Sequence, residues 1–127
     1  GYIGIWPLQG STVAQNYIEN SCLVLDDGAA IYLSRQQNPT ETHNSVVSGN
    51  VIRRVVGAKE GKVVDRSQGQ GIYLDDHSAL VSVLNNFVVD AEHGIQVHDA
   101  YNNVISGNRF YGNRQYQLWA QEQRNFT

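Results

Sequence analysis

The stretch GIYL at residues 71–74, followed by VLNNFV at residues 83–88, decides the fold because the chain repeats it in varied form. Each copy pairs a short apolar stretch with a second one that runs through Asn. The other copies are GIW (4–6) with TVAQNYI (12–18), AIYL (30–33) with VVSGNVI (46–52), GIQV (94–97) with VISGNRF (104–110), and the half copy YQLW (116–119). A unit of this length cannot bury its apolar face alone, so successive units must stack on one another.

Apolar residues alternate with polar ones within each copy, which is the pattern of β-strands. Ile72 and Leu74 face one way and Tyr73 faces the other. Gly occurs 12 times and Pro only 2 times, and Val and Ile are frequent, a mixture typical of short strands joined by tight bends. In the second strand of the copies, the predicted inward positions are those of Val46, Val81, Val83 and Val104.

An Asn occupies the same phase in four of the copies. The positions are Asn16, Asn50, Asn86 and Asn108, and Ser-Gly precedes two of them. A turn residue at one phase of stacked coils can bond to its counterpart in the next coil, and Asn tolerates the left-handed backbone that such a bend needs. We therefore expect an asparagine ladder.

The composition argues against several classes of partner. The 127-residue chain has a formal net charge of -3 at pH 7 and no basic stripe, so it offers no electrostatic reason to expect nucleic acid. No apolar run approaches the length of a membrane span. The single cysteine, Cys22, cannot form an internal disulfide and is expected to be a small buried hydrophobe. No zinc set, P-loop or dinucleotide fingerprint is present.

The copies resemble the coils of right-handed parallel β-helix proteins, over about residues 4–119. The motifs that carry the resemblance are GIYLDD (71–76) with VLNNF (83–87), and GIQV (94–97) with VISGNRF (104–110). More narrowly, they are similar to the repeat of carbohydrate-binding and sugar-hydrolase β-helices, a group with pectate-lyase-like enzymes, alginate lyases and epimerases, and phage tailspikes. The resemblance implies an all-β, right-handed parallel β-helix of about four to five coils and a polysaccharide or oligosaccharide ligand. It implies a secreted or cell-surface location, with the periplasm as the alternative. It says little about which reaction, if any, the protein catalyses, because one fold hosts many functions.

One domain or fragment, residues 1–127, is expected to hold all the coils. Two polar insertions, near residues 34–43 and 53–70, are predicted to be loops on the side of the stack, where they can wall a cleft. Because the chain starts inside a coil at residues 4–5, we expect a piece of a longer helix. The end coils of a short solenoid expose strand edges, so a homo-oligomer or end-to-end packing is the alternative.

Stacking the copies lines up outward-facing side chains of neighbouring coils, which lie about 4.8 Å apart. The predicted columns are Tyr32, Tyr73, Gln96 and Gln117, then Ser34, Asp75, His98 and Trp119, then Arg35, Asp76 and Asp99. Asp75 is therefore expected beside His98, and Asp76 beside Asp99. The candidate catalytic residues are Asp75, Asp76, His98 and Asp99, and the candidate substrate-binding residues are Tyr32, Arg35, Tyr73, Gln96 and Trp119.

Carboxylates and an imidazole on one face of the stack suit acid–base chemistry on a polysaccharide. Close carboxylates shift one another's pKa, and two of them can flank a glycosidic bond as acid and base, or as acid and nucleophile. This pattern predicts hydrolysis. The alternative is a lyase or uronate epimerase, with His98 or Tyr73 as the base and with Arg35 or a cation neutralising the uronate.

Non-catalytic interpretations of the same residues stay open. Asp75 and Asp76 at a strand end are also typical turn residues, and Tyr32 and Tyr73 are also typical stacking partners between coils. A non-catalytic carbohydrate-binding or structural module is therefore the rival function, and the sequence does not decide whether the chain is an enzyme. No metal or cofactor is expected from the motifs, although carboxylates stacked in this way also bind Ca²⁺ in other proteins.

Overall fold

The computed structural model describes residues 1–34, 44–58 and 67–121. Within these ranges the chain forms 12 β-strands, all of them short. The strands are β1 (Thr12–Ala14), β2 (Tyr17–Glu19), β3 (Gly28–Leu33), β4 (Ser45–Ser48), β5 (Val51–Arg53), β6 (Gly69–Leu74), β7 (Val81–Leu84), β8 (Phe87–Val89), β9 (His93–His98), β10 (Val104–Ser106), β11 (Arg109–Tyr111) and β12 (Tyr116–Gln121).

The strands pair in parallel and form three sheets in the part of the chain described. The strand orders are β1-β4-β7-β10, β2-β5-β8-β11 and β3-β6-β9-β12. Successive strands therefore belong to different sheets, and each winding of the chain adds one strand to every sheet, as parallel pairing requires a crossover. This confirms the predicted all-β parallel helix, with about four coils. In front of β3, the N-terminal segment adds a parallel bridge between Ile5 and Ile31.

Apolar side chains stack in columns inside the coil. Ile31, Ile72, Ile95 and Leu118 pair in successive strands of one sheet. The first three are 0 % exposed. Apolar area removed from water contributes about 25 cal/mol per Å², so these columns stabilise the stack and hold the coils in register.

The inward positions of sheet β1-β4-β7-β10 differ from the prediction at two residues. Val81 and Val83 are buried, as predicted. Val46 and Val104 both pair with Ser82 on the outward side of the sheet, and Val104 is 55 % exposed. The prediction was therefore wrong for these two valines.

The inward residues of β4 and β10 are the next ones along the chain. Val47 pairs with Val83 in the core column, and Ile105 pairs with Val83 from the other side. Each of these strands carries two adjacent apolar residues, which satisfy either phase of a period-two pattern. Only the pairing with β7 fixes which of the two faces the core.

The predicted asparagine ladder is confirmed. Nδ2 of Asn16 donates to Oδ1 of Asn50 at 3.0 Å. Nδ2 of Asn50 donates to Oδ1 of Asn86 at 2.9 Å, and Nδ2 of Asn86 donates to Oδ1 of Asn108 at 2.9 Å. The backbone N–H groups of the first three asparagines donate to the same oxygens. The ladder therefore satisfies buried polar groups at one corner of every coil.

The left-handed backbone of this corner lies one residue before the ladder. The residues with positive φ are Gln15, Gly49, Asn85 and Gly107. The expectation that the ladder asparagines themselves adopt this conformation was therefore wrong. At each corner, the residue before the asparagine turns the backbone, and the asparagine itself bonds to the adjacent coils.

Candidate functional site

The candidate residues lie at the ends of β6 and β9, where the chain turns toward the next sheet. The two strands match residue for residue, and beyond the turn Ala79 pairs with Tyr101. Residues 75–78 and residues 98–100 are therefore equivalent turns in successive coils, and each leads from one sheet to the next. The turn after β6 is longer by one residue, which brings His77 to the same edge.

This edge of the sheet is a polar ridge with two imidazoles. We use the name ridge for Asp75, Asp76, His77, His98 and Asp99. All five side chains are at least partly accessible to solvent. The ridge brings together the four predicted catalytic residues and adds His77.

Asp75 is the centre of the ridge. The hydroxyl of Tyr32 donates to its Oδ2 at 2.7 Å, and its Oδ1 accepts the backbone N–H of Asp76 at 2.9 Å. Nδ1 of His98 lies 2.8 Å from the same Oδ1. The Asp75 side chain is only 13 % exposed. A carboxylate surrounded by donors serves as an acceptor that fixes its neighbours.

Asp75 also has the structural role of a turn residue. Its carbonyl oxygen accepts hydrogen bonds from the backbone N–H of Ser78 at 3.0 Å and from the Ser78 hydroxyl at 2.6 Å. The same hydroxyl lies 2.7 Å from the carbonyl oxygen of Leu33 in the preceding coil. The turn interpretation therefore holds for Asp75, because its backbone shapes the turn, while its side chain is left to contact Tyr32 and His98.

The rest of the ridge divides between two imidazoles. Nδ1 of His77 lies 3.2 Å from Oδ2 of Asp99, and the His77 backbone N–H donates to the Asp99 carbonyl oxygen at 2.8 Å. Oδ1 of Asp76 lies 3.6 Å from Nδ1 of His98. Asp76 and Asp99 therefore belong to one ridge, and each contacts a different imidazole.

The two tyrosines behind the ridge are held in the neutral form. Burial raises the pKa of Tyr32 and of Tyr73, and hydrogen bonding to Asp75 and its negative charge raise both further. The neutral Tyr32 phenol donates to Asp75. The structure therefore argues against Tyr73 as the base of a lyase or epimerase reaction.

Tyr32 and Tyr73 also lack the exposure of a sugar platform. The two residues are 9 % and 5 % exposed, and Ile3 from the N-terminal segment packs against them. Their rings meet edge to face with centroids 5.4 Å apart. Trp6 extends the column at 5.5 Å from Tyr32 and is 61 % exposed. The accessible ring of this column is therefore Trp6, which the predicted binding set left out.

The last coil has a register different from the predicted one. Trp119 pairs with Gln96, the position that the prediction gave to Gln117. The reason lies in the core, where Leu118 continues the column of Ile95. With Leu118 inside, the next residue must face outward in the column of Gln96.

Trp119 consequently does not neighbour His98, whose partner in β12 is Gln121. The Trp119 ring packs instead with His93 at 4.7 Å and with Tyr116 at 5.8 Å between centroids. His93 is 1 % exposed. Trp119 therefore belongs to an aromatic cluster on the outer face of β9 and β12, separate from the ridge.

Two predicted binding residues remain. Gln96 is 4 % exposed, and its side-chain amide bonds to that of Gln70, which is 0 % exposed. This pair links β6 to β9, so Gln96 has a structural contact. Arg35, most of the first predicted insertion and part of the second lie outside the described residues, at 35–43 and 59–66. The binding role of Arg35 and the cleft walls therefore stay predictions.

Three groups of the ridge could hold a divalent cation. Asp75, Asp76 and His98 offer ligand atoms that lie within 4.8 Å of one another. Ca²⁺ prefers oxygen ligands throughout, whereas an imidazole with carboxylates suits a transition metal ion such as Zn²⁺. The donor set is thus a poor match to Ca²⁺, and any cation would have to replace the hydrogen bond between His98 and Asp75.

The ridge concentrates negative charge. Desolvation raises the pKa of Asp27, and the charges of Asp75 and Asp76 raise it further, while His98 lowers it. Asp27 therefore lies close enough to the ridge for the charges there to shift its pKa. Together with Asp99, these residues make a field that repels anions at short range.

Parallel sheets wound into a coil, with an internal asparagine ladder and a polar ridge at the strand ends, define a β-solenoid protein. The chain belongs to the family described as right-handed beta helix region, which matches residues 3–127. This confirms the resemblance noted in the sequence. No curated protein and no solved structure matches the chain. In the described ranges, no helix has the length and apolar character needed to cross a membrane.

Proposed function

We propose that the protein binds a neutral polysaccharide along the ridge and hydrolyses it by acid–base chemistry. The observation that supports this most is the 2.8 Å contact between Nδ1 of His98 and Oδ1 of Asp75. The resemblance to carbohydrate-active β-helices supports the class of ligand. The side chains named below support the kind of reaction.

His98 is the proposed general base. A carboxylate that accepts a hydrogen bond from Nδ1 fixes the imidazole tautomer, so the lone pair lies on Nε2. It also stabilises the imidazolium that forms when Nε2 takes a proton. Asp75 is thus proposed to position His98, and the Tyr32 hydroxyl and the Asp76 backbone N–H hold Asp75 in place. His98 would remove a proton from the water that attacks the anomeric carbon.

Asp76 is the proposed acid that protonates the leaving oxygen. Its side chain is 31 % exposed, close to the 25 % of His98 and well above the 13 % of Asp75. Hydrolysis of a glycosidic bond needs one group that gives a proton and one that takes it. Asp99, which pairs with His77, would contact the sugar hydroxyls beside this pair.

Charge supports a neutral glycan over a polyuronate. Carboxylates dominate the ridge, and a uronate polymer would add further negative charges at short range. A lyase or epimerase must also neutralise the uronate carboxylate before proton abstraction, for which Arg35 or a cation was the prediction. Tyr73, the alternative base for such a reaction, is buried, and burial and the negative charge of Asp75 raise its pKa. We therefore rank hydrolysis above lyase or epimerase chemistry.

The proposal includes a location. The resemblance to carbohydrate-active β-helices implies export, so we propose that the protein is secreted or displayed at the cell surface, with the periplasm as the alternative. The rival function is a non-catalytic module that binds the same glycan through Trp6 and the ridge. Binding is common to both functions, so only turnover separates them.

The experiment is a panel of neutral and uronate polysaccharides incubated with the protein. New reducing ends are measured together with the ultraviolet absorbance of unsaturated uronates, and binding is measured in parallel. We expect reducing ends from a neutral glycan without ultraviolet absorbance. His98→Gln and Asp76→Asn should abolish the signal.

Asp90→Asn is the matched control because Asp90 follows β8, away from the ridge. Its backbone has φ 57°, which Asn tolerates, and its carboxylate lies 3.9 Å from Arg114. This variant should keep full activity. Ultraviolet absorbance with the reducing ends would establish a lyase instead, and binding without new ends would establish the module.

A further inference from the structure

The outer face of the sheet β2-β5-β8-β11 exposes a column of apolar and aromatic side chains. Tyr17, Val51 and Phe87 pair in successive strands, and each is at least 37 % exposed. Val51 and Phe87 lie on β5 and β8, which have a paired strand on both sides. A further coil at either end of the stack would therefore leave this face open. Contiguous exposed apolar surface marks sites of interaction.

The charges of this face lie in its outer strands and in a second column. Glu19, Arg53, Val89 and Tyr111 pair in successive strands, and Arg109 continues the first column beside Phe87. Glu19 and Arg53 lie 3.6 Å apart within the chain. Exposed aromatic rings together with arginine are typical of interfaces between proteins. The face thus has its carboxylate on β2 and an arginine on β11.

The face is complementary to itself when the coil order is reversed. A two-fold axis parallel to the strands, between β5 and β8, sets β5 against β8 and β2 against β11 of a second copy. Val51 then faces Phe87 of the second copy, and the Tyr17 ring faces its Arg109, an arrangement that favours a cation–π contact. Glu19 lies level with the same guanidinium. Opposite charges therefore meet at both edges of the contact.

The same coil order in both copies gives a poorer match of charge. A two-fold axis that lies in the face and runs across the strands sets every strand against its own counterpart. Glu19 then lies level with Glu19 of the second copy, and Arg109 lies level with its Arg109. Like charges at this range repel, so charge favours the reversed order.

We propose that a second copy of this chain packs face to face on the sheet β2-β5-β8-β11, with reversed coil order, and forms a closed dimer. A two-fold contact uses the same surface on both partners, so assembly stops at two copies. Sheets that pack face to face keep their strand directions nearly aligned, as this axis requires. The ridge lies at the corner between the other two sheets, so both copies keep it accessible.

The mass of the wild-type protein in solution tests the proposal first. Sedimentation velocity over a wide concentration range should show a transition from the 14.1 kDa chain to twice that mass. Phe87→Glu should abolish the dimer, because it places a carboxylate against Val51 of the second copy. Val104→Glu is the matched control, since Val104 is 55 % exposed on a different sheet, and it should dimerise like the wild type.

Two charge reversals test the coil order. Glu19→Arg alone and Arg109→Glu alone each bring like charges together at both edges, so each variant should lose the dimer at concentrations where the wild type is dimeric. Their equimolar mixture restores opposite charges at both edges, so it should form a one-to-one dimer of the two variants. A mixture that stays as monomeric as its components, beside a dimeric wild type, would contradict the reversed order.

Other occupants of the face give different results. A wild type that stays monomeric at every concentration, or that grows beyond two copies, would overturn the proposal. If the monomer binds a polysaccharide, and Phe87→Glu loses this binding while Val104→Glu keeps it, the face is a glycan site and the proposal is wrong. Circular dichroism checks that every variant folds, and if one does not, the concentration series of the wild type decides by itself.

Discussion

His98 and Asp75 come from neighbouring coils, 23 positions apart in the chain, and their side chains meet with Nδ1 and Oδ1 2.8 Å apart. The contact exists because β6 and β9 pair in parallel register up to Leu74 and Val97. The next residue of each strand therefore leaves the sheet at the same point. A pair of this kind depends on the winding of the chain and is absent from any single coil.

The first prediction concerns the coupling of these two residues in hydrolysis. His98→Gln should lower kcat by about 10²–10⁴-fold, the usual contribution of a general base. Asp75→Asn should lower kcat as well, because the amide no longer fixes the imidazole tautomer. The double variant should lose little more than His98→Gln alone. Losses that multiply would mean that the two residues act independently.

The second prediction concerns Tyr73 and alkaline pH. Its pKa in the folded state lies above the ordinary value of 10.0. A raised folded-state pKa gives stability that is present below pH 10 and is lost as the pH rises, because only the unfolded chain releases this proton readily. Tyr73→Phe should therefore show a shallower decline of unfolding free energy above pH 10, measured by urea denaturation.

At neutral pH the same variant should be less stable. Tyr32→Phe should lose more, because the Tyr32 hydroxyl donates to the Asp75 carboxylate at 2.7 Å and such a bond is worth about 1.5–3 kcal/mol. Tyr17→Phe is the matched control, because Tyr17 is 63 % exposed, and it should follow the wild-type profile. Parallel alkaline profiles for Tyr73→Phe and the wild type would contradict the prediction.

The third prediction concerns the middle of the asparagine ladder. Oδ1 of Asn86 accepts both the backbone N–H and the Nδ2 of Asn50. Asn86 is 1 % exposed, so Asn86→Ala leaves buried donors without acceptors, at about 1–3 kcal/mol for each. Denaturant unfolding should show this loss. Asn44→Ala, at an exposed position, should change stability little, and equal effects of the two variants would argue against the ladder.

The fourth prediction concerns divalent cations. The proposed hydrolysis uses Asp75, Asp76 and His98 for hydrogen bonding and proton transfer, and the imidazole makes this donor set unsuited to Ca²⁺. Treatment with a chelator should therefore leave kcat and KM unchanged. If activity is lost and Ca²⁺ restores it, a cation takes part in the reaction and the proposed roles of these residues are wrong. Restoration by Zn²⁺ alone would instead support the mixed-ligand site.

The fifth prediction concerns Cys22. The residue is 0 % exposed, as the sequence predicted, and its thiol lies 2.7 Å from the Tyr2 carbonyl oxygen. Burial is the main cause that raises the pKa of this thiol to about 11. Alkylation near neutral pH should therefore be slow in the native protein and fast in urea. Rapid labelling without denaturant would show that this part of the first coil opens readily.

The sequence predicted the stacking because the repeat carries its own register. Ile72 and Ile95 occupy equivalent places in their copies, so the repeat alone predicts that Asp75 and His98 lie side by side. The half copy at residues 116–119 lacked a Gly-Ile start, and its alignment failed by two residues. Leu118 determines the correct alignment of this half copy, since only its place in the core column distinguishes the two alignments.

The composition of the ridge was predictable in part. His77 directly follows Asp76, which made it a further candidate for the site. Strand periodicity does not count turn residues, so the extra residue that brings His77 beside Asp99 was not predicted. A comparison of residues 75–78 with residues 98–100 was the signal that could have found it. Periodicity also did not predict that Ile3 packs against Tyr32 and Tyr73, because Ile3 lies outside the repeated motifs.

The most direct test of the paired ridge is a nitrogen NMR measurement on the native protein, at a pH where the imidazole of His98 is neutral. The long-range couplings of its ring identify which nitrogen carries the proton. We expect the proton on Nδ1, and we expect Asp75→Asn to remove that preference. A proton on Nε2 in the wild type, or a tautomer that does not respond to Asp75→Asn, would contradict the role of Asp75 and with it the proposed base.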